Sequence, residues 1–120
     1  MRMRWVIWGV YVIAWTTALL TTQPVKWERL ALPNWAGYPT AKGLHVSAYA
    51  LMTILTGWLR APGRWRWLLL VLVSCHGMGT EFCQQFVPER HPAWQDVGWD
   101  HLGILLGLAL SWRWWWRPVG

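Results

Sequence analysis

The sequence predicts an all-α protein, an integral membrane bundle of four helices with both termini on the cytoplasmic side. Three observations point there. Four apolar segments recur within 120 residues, each near the length a helix needs to cross a bilayer. Hydrophobic residues form 55% of the chain and charged residues only 13%, less charge than a soluble domain carries. Fourteen tryptophans suit the two membrane–water interfaces, where an indole sets its ring among acyl chains and its N–H toward headgroups. They also explain the modest mean hydropathy of +0.20, because hydropathy scales count the indole as mildly polar.

The first segment runs from Trp5 to about Leu20. Met1-Arg2-Met3-Arg4 gives it the outline of a signal peptide, but its core holds Trp8, Tyr11 and Trp15 and no small-residue cleavage site stands out. It reads as a retained helix. Some twenty residues with Pro24, Pro33, Gly37 and Pro39 follow, an irregular surface loop with Trp27 and Trp35 at headgroup level. The second segment spans about 43–59 and the third 67–87. Arg60-Ala61-Pro62-Gly63-Arg64-Trp65-Arg66 between them is a tight turn, which makes them an antiparallel pair. Pro88 and Pro92 break the chain before the fourth segment, 99–116, which ends in Trp112-Arg113-Trp114-Trp115-Trp116. Cys75 and Cys83 share one helix, roughly 12 Å apart at 1.5 Å per residue, too far for a disulfide. Both read as small packing residues.

The formal charge of +6 does not indicate nucleic acid, because the basic residues flank apolar runs without a basic face or a nucleic-acid motif. They read as membrane anchors, and their bias orients the chain. With the N-terminus inside, seven basic residues are cytoplasmic (Arg2, Arg4, Arg60, Arg64, Arg66, Arg113 and Arg117) and four lie opposite (Lys26, Arg29, Lys42 and Arg90). All five acidic residues fall on the outer side or in its half of the membrane.

This topology brings the unusual residues to one level. Lys42, His45 and Tyr49 begin the second segment at spacings of three and four, and Thr53 and Thr56 continue that side. Glu81 and Gln84 stack one turn apart near the end of the third. Asp96, Asp100, Gly103, Gly107 and Ser111 share a stripe on the fourth, given a helix that starts near Asp96. Glu81 falls roughly 10 Å below the outer rim. A polar pocket in the outer leaflet is expected, lined by Lys42, His45, Tyr49, Glu81, Gln84, Arg90, Asp96 and Asp100. Arg90 paired with Asp96 or Asp100 would tie loop to helix. Gly103 and Gly107 would let the fourth segment approach a neighbour closely. Ionisable groups inside a membrane point to function, but Glu81 and Gln84 equally suit bonds between helices. Lys42 alone would snorkel to water. His76 reads as a neutral hydrogen-bonding residue, and His91 and His101 as loop and rim residues.

The same residues resemble the VanZ-like family of small bacterial membrane proteins. Lys42-x-x-His45-x-x-x-Tyr49 fits its first motif. Glu81-x-x-Gln84-x-Phe86-x-Pro88-x-Arg90 fits its second, followed by Asp96, Gly103 and Gly107. The chain has Ala41 where the family often carries an acid and Asp100 where it has asparagine. The resemblance covers residues 42–107 and implies a multi-pass protein of the bacterial inner membrane with a role in the cell envelope. The family's name comes from reduced susceptibility to the glycopeptide teicoplanin.

Three functions are expected in turn. The first is binding of a lipid-linked or amphiphilic envelope ligand, its anionic headgroup on Lys42, His45 and Arg90 and its tail between helices. The second is an intramembrane enzyme acting on a lipid headgroup, with Glu81 or His45 as acid or base. The third is a scaffold subunit with membrane-protein partners. No cofactor is expected. No HExxH or paired-cysteine spacing indicates a metal.

Overall fold

The computed structural model describes residues 2–20, 30, 31, 33–87 and 94–117. Among these the chain is all-helical, without a strand. The helices are α1 (Arg2–Leu19), α2 (Asn34–Trp58), α3 (Arg64–Gln84), α4 (Gln95–Leu110) and the short α5 (Trp112–Trp116).

Bonds between helices fix an up-down-up-down order. At one end Arg4 Nη1 donates to Trp58 O at 3.0 Å, with its guanidinium over the Trp58 ring, and Trp8 Nε1 donates to Thr56 Oγ1. At the other end Gln84 Nε2 donates to Leu19 O at 3.2 Å and Lys42 pairs with Asp96. α1 and α3 therefore run one way, and α2 and α4 the other.

α2 and α4 make the most extensive contact of any pair, and glycine is the reason. A Cβ at Gly103 would lie 2.3 Å from Val46 O, and one at Gly107 2.4 Å from Ala50 O. Both distances are shorter than any real contact, so the backbones meet where no other residue fits. This is the close approach the two glycines predict. The turn between α2 and α3 also forms as expected. Arg60 and Gly63 take left-handed φ of 54° and 48°, which reverses the chain in a few residues.

Two boundaries differ from expectation. The loop expected before residue 43 is helical from Asn34 onward. Pro33 sits at the N-cap with extended backbone, and Pro39 lies inside the helix. Pro39 has no N–H to give the Trp35 carbonyl, and Trp35 itself is exposed. The single segment 99–116 is two helices broken at Ser111 (φ −108°, ψ 19°). Ser111 Oγ donates to Gly107 O at 2.7 Å, a local bond that competes with the helical ladder. The break turns Trp115 inward. This residue, expected in an interfacial belt, is 1% exposed and packs on Gly57 and Trp67. Arg66, also buried, locks the break: its guanidinium donates to Ala61 O, Trp115 O and Arg117 O at 3.1, 2.6 and 3.0 Å.

Among the described residues, no helix is long and apolar enough to cross a membrane. The apolar side chains of each helix are interleaved with polar ones, and many of those polar side chains face inward. His45, Thr53, Thr56, Glu81, Gln84, Asp96 and Asp100 are buried, while Val6, Val10, Ile13, Val71, Leu72, Leu105 and Leu110 are exposed.

Candidate functional site

The site lies at the end where α2 and α4 begin and α1 and α3 finish. α2 presents Lys42, His45 and Tyr49 at helical spacing. Lys42 pairs with Asp96, and one turn deeper His45 Nδ1 donates to Asp100 Oδ1 at 2.6 Å. The glycine contacts at Gly103 and Gly107 continue along the same two helices, so the polar pairs and the close backbone approach share one register. Lys42 is therefore a paired group, its side chain 13% exposed, and does not snorkel as a solitary lysine would. Arg90, expected to tie loop to helix through Asp96 or Asp100, lies outside the described residues.

Tyr49 is fully buried and turns toward α3. Its hydroxyl meets His76 Nδ1 at 2.8 Å, and His76 Nε2 meets Thr16 Oγ1 at 2.7 Å. Thr16 gives its own hydrogen to Val12 O. Its oxygen must then accept from His76 Nε2–H, and in a neutral ring His76 Nδ1 must accept from Tyr49. With a neutral ring, every hydrogen in the row has a defined direction. His76 thus hydrogen-bonds between helices, as expected of it, and Thr16 is a member that sequence reasoning missed. The available signal was a polar residue in an apolar run, which needs a partner inside the bundle.

Glu81 is 2% exposed. Glu81 and Asp100 both lie near enough to Tyr49 for their charges to act on it. Gln84 is buried too, but its amide serves the last turn of α1 through Leu19 O. The structure therefore joins Lys42 with Asp96 and His45 with Asp100, keeps Tyr49 and Glu81 beside them, and spends Gln84 on helix packing. Trp15 stands edge-on to both His45 and Tyr49 at ring-centroid distances of 5.9 and 6.3 Å. Its Nε1 is buried with no hydrogen-bond partner among the described residues.

Beside this cluster a groove of about 470 Å³ runs between α2 and α4, lined by Pro39, Lys42, Gly43, Val46, Ser47, Trp99 and Leu102. Lys42, held by Asp96, contributes to this lining, and the rest of it is largely apolar. Among the described residues, no three His, Cys, Asp or Glu side chains stand together as metal ligands would.

His101 departs from expectation. It lies within α4, facing α3, where its Nε2 meets Ser74 Oγ at 2.6 Å and its Nδ1 meets Val97 O at 2.7 Å. No family model, no curated protein and no solved structure matches the chain.

Proposed function

We propose that the chain is a VanZ-like membrane protein of the bacterial cell envelope. In this reading it has both termini inside and holds an amphiphile in the groove between α2 and α4. The groove itself carries the proposal: Lys42, whose ammonium is shared with Asp96, lines a cleft together with Pro39, Gly43, Val46, Ser47, Trp99 and Leu102. That combination suits a molecule with an anionic headgroup and an acyl tail. The inside-out distribution of side chains supports the membrane setting. Glu81, Asp96, Asp100, His45, Thr53, Thr56 and Thr80 are buried, while many leucine, valine and isoleucine side chains face outward, as hydrocarbon solvent favours. All described basic residues except Lys42 lie toward the opposite end, consistent with the positive-inside rule.

Lipid extracted with the protein in mild detergent, and identified by mass spectrometry, tests this reading. The wild type is expected to retain an anionic or lipid-linked amphiphile. Lys42→Ala should lose it, and so should Val46→Trp, which fills the groove without touching the charge. Equal retention in wild type and both variants refutes the reading.

A second reading, an enzyme acting on a lipid headgroup, draws on one observation. Asp100 accepts the Nδ1 hydrogen of His45, which leaves Nε2 of a neutral ring free to take a proton. Turnover of isolated envelope lipids that survives in both His45→Gln and Glu81→Gln would count against it.

A further inference from the structure

A second polar pair stands apart from the Lys42 cluster, and its hydrogens are also assigned. Val97 O can only accept, so His101 Nδ1 carries the hydrogen in the 2.7 Å contact between them. In the neutral ring Nε2 then offers a lone pair. The Ser74 hydroxyl, 2.6 Å away, must donate to it. This is the arrangement that activates a serine: the nucleophile's hydrogen points at a base, and a third group holds the base in the needed tautomer. Here the third group is a carbonyl of α4 itself, one helical turn before His101.

The pair is reachable from the outside of the bundle. Ser74 and His101 are half-buried, with exposed Val71 and Met78 beside Ser74 on α3 and exposed Leu105 one turn beyond His101 on α4. Gly98, one turn before His101, would meet nothing within 4 Å if it carried a Cβ, so the seam is open on that side. An electrophile approaching Ser74 would come through apolar surroundings.

We propose that Ser74, with His101 as its base, is an acyl-acceptor site for a lipid-phase ester. The choice of a lipid-phase substrate rests on the membrane reading above; the nucleophilic pair does not. Ser74 Oγ attacks the ester carbonyl carbon while its hydrogen passes to His101 Nε2. The carbon–oxygen bond to the alcohol then breaks, and the departing alkoxide takes that hydrogen back from Nε2. The products are an acyl ester on Ser74 and the free alcohol. Neighbouring backbone N–H groups are engaged in their helices, so they are not free to stabilise the developing oxyanion. The transfer is accordingly slow, and the acyl-serine persists where water is scarce.

The test uses the full chain in bilayer nanodiscs with p-nitrophenyl octanoate, followed by p-nitrophenolate release, intact mass and peptide mapping. One octanoyl group per chain on Ser74 is expected, lost in Ser74→Ala and formed at least about 100-fold more slowly in His101→Gln. Helicity is measured alongside, and mapping of the wild type stands alone if a variant does not fold. No adduct on folded wild type, an adduct on another residue, or an unchanged rate in His101→Gln overturns the proposal. The acetate ester is the second arm. Slower acetylation than octanoylation supports a lipid-phase substrate; equal rates at Ser74 uphold the nucleophile and overturn the lipid-phase assignment.

Discussion

Gly103→Ala is the most informative single change in this fold. Its new methyl group would lie 2.3 Å from Val46 O and 3.0 Å from Val46 C, both backbone atoms that cannot swing aside. Ordinary contact begins at 3.4 Å, so α2 and α4 must part by about 1 Å locally. The same movement would stretch the 2.6 Å bond from His45 to Asp100 to about 3.6 Å, outside hydrogen-bond range. Overpacking costs about 1–3 kcal/mol, and a lost bond to a carboxylate about 1.5–3 more. A destabilisation of about 2.5–6 kcal/mol is expected. Gly98→Ala is the control on the same helix. Nothing lies within 4 Å of its Cβ position, so it should stabilise by about 0.5–1 kcal/mol through helix propensity alone. Thermal unfolding followed by circular dichroism in one detergent compares the two, at roughly 4 °C per kcal/mol. A Gly103→Ala protein as stable as Gly98→Ala would refute the account of how α2 and α4 meet.

Two further predictions concern the two ends of the bundle. Arg66→Lys should destabilise by about 2–4 kcal/mol, because a lysine cannot serve the carbonyls of Ala61, Trp115 and Arg117 together; faster proteolysis beyond Ser111 and a shifted tryptophan emission report it, and an unchanged digest contradicts it. Reversing Lys42 to Asp or Asp96 to Lys alone should cost about 3–5 kcal/mol, and the double reversal should recover at least half. Additive losses in that cycle would show that the two side chains do not act as a pair.

Much of the candidate site was legible because helical spacing and alternating topology constrain it together. Lys42, His45, Asp96 and Asp100 could be placed at one level once the helices were assigned directions. Gly103 and Gly107 announced a close contact, though not that Val46 and Ala50 would supply the other side. Other features depended on choices between neighbours that spacing does not rank. Tyr49 lies on the same stripe as His45, yet it turns to His76 on α3 because the α2–α4 seam narrows to glycine at Gly103. The early start of α2 was hidden by Pro33 and Pro39, which read as loop residues although the first caps the helix and the second lies inside it. His101 was read as a rim residue because the apolar run begins at 99; the helix starts about one turn earlier, at Gln95, and carries His101 inward to face Ser74.

The row from Tyr49 through His76 to Thr16 terminates at an amide oxygen, Val12 O. Charge cannot travel along it, since an amide oxygen has no hydrogen to hand onward. The row works instead as a mechanical latch with an insulating end: it clamps three helices by their dipoles and offers protons no passage out of the polar end of the bundle by that route.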